Sequence, residues 1–266
     1  MELFTILLSG LLGIFSPVGF VVDQVAERAI RSQLHLAETV AVRVDNTPNY
    51  QLVKGKVDRV RIAGRGLYPI DGIRIDTLEL ETDSIEVDPI RLRQGQPVLE
   101  SPLNAGIRVV LTKSDLNRAL RSPNVTAQLR DLSLDFLGSP AQQLERYEFV
   151  NPEIEFLAQN RLRFQVALQS QQSATQIMIA AETGIQIDRG QRLQLIEPTA
   201  TVNGRPIPPQ VVNLLVGGIS QQLNLANLEE RGITARVLNW EVTSEELNLA
   251  AFVQIDPTQL DLTMPQ

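Results

Sequence analysis

The side chains that could carry chemistry are sparse in this chain. It has a single histidine, His35, and no cysteine among its 266 residues. His35 stands between Leu34 and Leu36, so no Ser/His/Asp set can be assembled around it. The counts also exclude His-rich or Cys-ligated zinc sites, disulfides and thiol catalysis. The sequence therefore predicts no catalytic residue, no metal site and no cofactor.

Carboxylates are the other chemical candidates, because two of them held across a cleft can act as acid and base. Glu79, Glu81 and Asp83 alternate along one stretch of the chain, and Glu153 and Glu155 alternate along another. Alternating positions share one face of a strand, so these acids would stand side by side and not across a cleft. We interpret both groups as solvated surface.

The overall charge narrows the class of partner. The chain carries 31 acidic and 24 basic residues, which gives a net charge of −7 and a pI near 4.9. Nucleic-acid binding needs clustered positive charge, so we expect no nucleic-acid partner. Contact with a membrane stays open, because apolar surface alone can drive it.

The first 22 residues form an apolar segment. Leu3–Val22 contains no charged residue and has about the 20 residues that a spanning helix needs. The leading charge is Glu2 and no small-residue cleavage site follows, both unlike a secretory signal. Pro17 weakens a straight helix, and Arg28 and Arg31 favour a cytoplasmic C-terminal side if the segment spans. A retained anchor, a signal peptide and a helix buried in the fold all stay open.

Three later segments have helical features. Residues 23–38 have helical spacing, and Thr112-x-x-Asp115 resembles a capping box that opens a short helix to about Arg121. Pro208 begins a longer helix over 208–225, in which the apolar residues share one arc and the opposite face is polar but uncharged. Such a face favours a helix enclosed by a sheet or lying against lipid; a core helix of an ordinary α+β domain is the alternative.

Strand-like alternation of apolar and polar residues covers most of the chain beyond Thr39. A hairpin turn is predicted at 188–190. Two similar segments, 73–80 and 85–92, each change apolar parity after an aspartate, which favours β-bulges in a curved sheet, with an ordinary meander as the alternative. The predicted strands lie near 40–44, 52–63, 72–80, 85–92, 105–111, 125–136, 153–168, 175–187, 192–202, 234–242 and 247–255.

Four segments in a fixed order carry a resemblance to a known family. They are VVDQVAERAI at 21–30, VDRVRIAGRGL at 57–67 with GIRI at 72–75, the strand pair at 78–87, and NGRPIP at 203–208 before the uncharged helix. In this order, over about 23–255, they resemble the LmeA-like phospholipid-binding proteins of bacterial envelopes. The resemblance implies a tubular lipid-binding fold, phospholipid binding without catalysis, and a role in envelope maintenance.

The expected fold is therefore α+β, a long, strongly twisted antiparallel sheet wrapped around a helix with an apolar tunnel. Residues 1–22 form the apolar segment, 23–258 a single lipid-binding domain and 259–266 a tail. The expected partners are a phospholipid or another acyl lipid, bound or transferred, and a membrane surface. The envelope or periplasmic side is favoured, with a cytoplasmic-facing anchor as the alternative.

Large apolar residues on the inward parity are the candidates to line the tunnel. They are Val211, Leu215, Ile219, Leu223, Leu238, Trp240, Phe164 and Val166. Two other functions stay open: an envelope scaffold or interaction module with a solid core, and a hydrolase with a polar cleft that the sequence does not reveal.

Overall fold

The computed structural model describes residues 23–46, 51, 54–94, 98–123, 125–126, 147–170, 176–222 and 224–258. Most of these residues lie in strands. The α-helices are α1 (Asp23–Ser32), α2 (Pro89–Arg93), α3 (Lys113–Leu120) and α4 (Pro209–Gln222). The strands are β1 (Leu36–Asp45), β2 (Lys56–Val57), β3 (Arg59–Ile70), β4 (Ile73–Thr82), β5 (Ile85–Glu86), β6 (Leu103–Thr112), β7 (Tyr147–Leu157), β8 (Arg161–Ser170), β9 (Gln176–Asp188), β10 (Arg192–Val202), β11 (Arg205–Pro206), β12 (Ile233–Val242) and β13 (Glu246–Ile255).

The chain divides into two compact units. The first falls within residues 1–110, 225–239 and 248–266, and the second within 111–224 and 240–247. Each unit is built from segments that are discontinuous in sequence, so this division does not by itself define two domains. A single domain over 23–258 stays a prediction.

A six-stranded sheet, which lies mainly in the first unit, has the order β1-β3-β4-β6-β13-β12. The pairs from β1 to β6 are antiparallel, as the alternating pattern predicts. Val42, Ile62 and Leu80 are in direct register, and all three are buried. Helix α1 packs against β1 and buries Ala26 and Ile30 completely or nearly so. One face of this sheet therefore carries a closely packed core.

In the second unit, a five-stranded antiparallel sheet has the order β11-β10-β9-β8-β7. The predicted turn between β9 and β10 is confirmed. Arg189 and Gly190 both have positive φ, at 51° and 74°, and Gln191 N donates to Asp188 O at 3.1 Å. Two central residues with positive φ match the twist of the flanking strands.

The helices agree with the sequence patterns more closely at their starts than at their ends. Thr112 caps α3 as predicted, because its Oγ1 accepts a hydrogen bond from Asp115 N at 3.1 Å. Helix α1, in contrast, ends at Ser32, so the helical prediction to residue 38 was too long. The chain leaves the helix because His35 N donates to Tyr68 O at 2.9 Å, and Leu36 then pairs with Tyr68 at the start of β1.

The strand predicted over 85–92 is wrong in its second half. Only Ile85 and Glu86 form a strand, and α2 begins at Pro89. Asp88 Oδ1 accepts hydrogen bonds from Ile90 N at 2.7 Å and Arg91 N at 3.1 Å. Aspartate as the cap and proline in the first helical position together start a helix.

Several predictions fall outside the described residues. These are the apolar segment 1–22, the tail 259–266 and most of the strand predicted over 125–136, of which residues 125 and 126 are described and helical. Within the described part of the chain, no helix combines the length and the apolar character that crossing a membrane requires.

Candidate functional site

The five-stranded sheet of the second unit has one apolar face. Cross-strand partners share a face, and the register places Phe164 opposite Ile154 and Ala181. Val166 lies opposite Ile179, which lies opposite Val202. We call this surface the open apolar face, and its members on the four long strands are Ile154, Phe156, Leu162, Phe164, Val166, Leu168, Ile177, Ile179, Ala181, Ile185, Ile187, Leu193, Leu195, Ala200 and Val202.

The open apolar face is incompletely covered. Strands β9 and β10 are described over their whole length, and none of their apolar side chains is fully buried. In the first unit, by comparison, Leu78, Ile85 and Leu103 are each 1% exposed and Val60 is fully buried. A sheet face in a filled core would show the nearly complete burial that these residues of the first unit have. The second unit thus leaves apolar surface that its own described side chains do not enclose.

The opposite face of the same sheet is charged and internally paired. Arg163 bonds Glu155 at 3.0 Å and Glu182 at 3.1 Å. Arg161 bonds Glu182 at 3.1 Å and approaches Glu197 at 3.5 Å. Hydrogen bonding from Arg163, followed by that from Arg161, lowers the pKa of Glu182, and Glu182 in turn raises the pKa of Arg163. These strands are therefore amphipathic, with water on the charged side.

Helix α4 packs against β10, the neighbour of β9 in this sheet. Its candidate residue Val211 is 47% exposed, whereas the adjacent Val212 is 5% exposed. The side chains of Leu215 and Ile219, and all of Leu223, lie outside what the structure describes. Their predicted role as lining residues stays a prediction.

The remaining candidate residues do not lie together on one surface. Phe164 is half-buried and Val166 is 3% exposed, and both lie on the open apolar face. Trp240 is half-buried, and among the described residues its buried Nε1 has no hydrogen-bond partner. Leu238 is 70% exposed and belongs to the first unit, where it lines a cavity.

That cavity is a groove of about 630 Å³ in the first unit, lined by residues from all six strands of the larger sheet. We call it the arginine groove. Small residues contribute to its lining, and Arg43, Arg61 and Arg108 stand among them with Glu79 and Glu81. The remaining lining residues are Ala41, Val42, Ile62, Ala63, Leu80, Gly106, Ile107, Leu238, Ala250 and Ala251.

Ion pairs within and between the strands, with one further hydrogen bond to Asn248, hold the charges of the groove. Arg108 bonds Glu79 at 3.2 Å and Asn248 at 3.2 Å. Arg43 bonds Asp45 at 3.0 Å, and Arg61 also bonds Asp45. The hydrogen bond from Arg61 is the largest influence that lowers the pKa of the Asp45 carboxyl. Among the described residues, Arg61 Nε is buried and has no hydrogen-bond partner.

The sequence patterns did not reveal this groove. Its row of Arg43, Arg61, Glu81 and Gly106 comes from β1, β3, β4 and β6, which are in direct register. The available signal was the alternation of arginines along β3 and of glutamates along β4. We interpreted Glu79 and Glu81 as solvated surface, and both are about half exposed, at 49% and 53%.

The groups with catalytic potential are dispersed. His35 Nε2 lies 3.9 Å from Asp71 Oδ1, and both side chains are largely exposed. Within the described ranges, no three His, Asp or Glu side chains are arranged to hold a metal ion. Two amphipathic sheets, one with an incompletely covered apolar face and one with a groove lined by charged residues, define a β-rich protein with surfaces open to ligands.

Comparison with known proteins agrees with this class. The model of the LmeA-like phospholipid-binding family matches residues 16–252, nearly the whole chain, and the chain therefore belongs to this family. The resemblance found in the sequence is confirmed. No curated protein and no solved structure matches the chain.

Proposed function

We propose that this protein binds phospholipid without a chemical step, with the acyl chains lying along the open apolar face of the second unit beside α4. The incomplete covering of this face along β9 and β10 is the single observation that carries the proposal. Family membership supplies the ligand class. Enclosure of the chains in a tunnel, transfer of lipid between membranes and a role in maintaining the cell envelope are parts of the same proposal.

Burial against the apolar face would stabilise a bound hydrocarbon chain. Burying one methylene group contributes about 0.8 kcal/mol, so covering about ten methylene groups contributes about 8 kcal/mol before the cost of ordering the lipid. Side chains such as Ile179 and Phe164, which are half-buried, would lose their remaining contact with water in the same event. Apolar surface of both the acyl chain and the protein would thereby be removed from water.

Native mass spectrometry of the purified full chain tests the proposal directly. We expect a bound mass that corresponds to phospholipid, and we expect the lipid-free protein to extract phospholipid from liposomes. Protein that is consistently empty and that extracts nothing would overturn the proposal.

Two adjacent positions of β9 offer a matched pair of variants. Ile179 lies on the open apolar face, while Met178 points to the opposite face, where it is 47% exposed. Ile179→Asp places a carboxylate where the acyl chain would lie, and removing a charge from water without a partner is costly. We expect at least a tenfold loss of extracted lipid for Ile179→Asp and less than a twofold change for Met178→Asp. Equal losses in both variants would refute this location.

A further inference from the structure

The arginine groove is a second surface, separate from the open apolar face and lined only by residues of the first unit. Arg43, Arg61 and Glu81 alternate along their strands with the buried residues Val42, Ile62 and Leu80, so the two sets of side chains lie on opposite faces of the sheet. Val42, Ile62 and Leu80 also contribute to the lining of the groove. The volume above the charged side chains is open to a partner.

The charges of the groove favour an anionic partner. Counted with Asp45, which pairs with Arg43 and Arg61, and with Arg59, which pairs with Glu81, four guanidinium groups stand against three carboxylates, in a chain whose net charge is −7. Glu79 is engaged by Arg108 at 3.2 Å, and Glu81 is engaged by Arg59 at 3.0 Å from the same sheet. The carboxylates are thus already paired, and because Arg43 and Arg61 share Asp45, one positive charge remains in excess.

One donor in the groove is unused. Arg61 Nε is buried and, among the described residues, lacks a hydrogen-bond partner, although the terminal nitrogen of the same guanidinium bonds Asp45. Leaving a buried donor unsatisfied is unfavourable. An acceptor oxygen brought by a ligand would satisfy it, and arginine is well suited to phosphate oxygens.

Two uncharged positions give the groove access and an apolar edge. A Cβ built at Gly106 meets nothing within 4 Å, so there is open space above this strand residue. Leu238 is 70% exposed. An exposed leucine beside arginines is the combination that suits the boundary between headgroups and acyl chains.

We propose that the arginine groove docks the protein on a bilayer by binding the anionic phosphate headgroup of a phospholipid, with Leu238 at the apolar edge of the contact. The choice of phospholipid rests on the proposed function. The docking site itself is a different surface from the one that holds extracted acyl chains. It provides the membrane contact that lipid exchange requires.

Flotation of the full chain with vesicles tests this inference. The vesicles are phosphatidylcholine with or without a large fraction of phosphatidylglycerol. We expect binding to the phosphatidylglycerol vesicles that weakens as salt is added, since surface charge attraction is screened. Equal binding to both kinds of vesicle, or binding insensitive to salt, would overturn the proposal.

Three variants locate the contact. Arg61→Gln removes one cation and should weaken binding about fivefold. Gly106→Leu leaves the charge unchanged but fills the groove, and it should weaken binding at least as much. Arg231→Gln, at an exposed arginine that does not line the groove, should change binding less than twofold. Equal binding by wild type and Gly106→Leu would refute the groove as the docking site.

Lipid extraction separates this inference from the proposed function. Gly106→Leu should retain its co-purified lipid and its Tm while losing vesicle binding, whereas Ile179→Asp should lose lipid and keep vesicle binding. If the groove instead binds a second copy of the chain, Gly106→Leu would abolish a concentration-dependent dimer and leave vesicle binding intact. That result would also overturn the proposal.

Discussion

Because the open apolar face is incompletely covered, we expect bound lipid to change the stability cost of a substitution on this face. Leu168 and Ile179 lie on this face, on neighbouring strands, but Leu168 is 4% exposed while Ile179 is only half-buried. Replacing either by alanine removes three carbon atoms. The two variants therefore differ in burial and not in the size of the deletion.

The expected free energies follow from burial. A fully buried leucine truncated to alanine costs about 2–5 kcal/mol, because a cavity remains. Three carbons of a fully buried isoleucine are worth about 2.4 kcal/mol, and the partial burial of Ile179, without an enclosed cavity, makes its cost smaller than this. If an acyl chain covers Ile179 in the complex, Ile179→Ala also removes contacts between this side chain and the lipid. The cost of Ile179→Ala should then rise by up to about 1 kcal/mol in the presence of lipid.

Urea denaturation followed by fluorescence of Trp240, the only tryptophan, measures these differences. Wild type, Leu168→Ala and Ile179→Ala are compared with and without a short-chain phosphatidylglycerol. Only the cost of Ile179→Ala should increase when lipid is added. If Ile179→Ala is as costly as Leu168→Ala in the absence of lipid, the face is filled. If lipid leaves its cost unchanged, the acyl chain lies elsewhere.

Three further predictions concern the framework that holds these surfaces. Thr112→Ala removes the cap of α3 and should lower the free energy of unfolding by about 1 kcal/mol in urea, with Thr112→Ser as the control that restores it. Leu78→Ala should cost about 2–5 kcal/mol and Leu238→Ala, at a 70% exposed position, less than about 0.5 kcal/mol; similar costs in a calorimeter would contradict the assigned core. The pKa of Glu182 is lowered from 4.5, so its contribution to stability is complete above that pH and is lost as the pH falls through the lowered pKa. Glu182→Gln should be less stable at neutral pH and should lose less stability on acidification, and parallel pH curves would refute the assignment.

The elements with local signals could be predicted from the sequence. The β9–β10 hairpin was predicted from residues 188–190, where the glycine follows a residue that also adopts positive φ. The cap at Thr112 was predicted from its spacing to Asp115. The pair Asp88–Pro89 carried an equally local signal for a helix start, but the apparent repeat with 73–80 led to a strand instead. Local capping chemistry was the stronger determinant there.

The end of α1 and the arginine groove could not be predicted, because both depend on pairing between distant segments. Strand β1 begins where its residues meet Tyr68 and Leu67, which are far along the chain. The groove depends on register, which places Gly106 opposite Glu81. A shift of one residue would reverse which side chains share a face. The alternation of apolar and polar residues shows which side chains of a strand share a face. It does not show which residues of other strands lie beside them.

The same alternating pattern has two outcomes in this chain. In the first unit the apolar side chains of the sheet fill a core in which Leu78 is 1% exposed. In the second unit the apolar side chains of β9 and β10 alternate just as regularly but stay half-buried or exposed. Periodicity specifies the apolar side of a strand, whereas the extent of its covering depends on what packs there. A ligand lying on the apolar face of the second unit would bury these side chains, as the core buries those of the first unit. For this reason we propose that the lipid binds to the second unit.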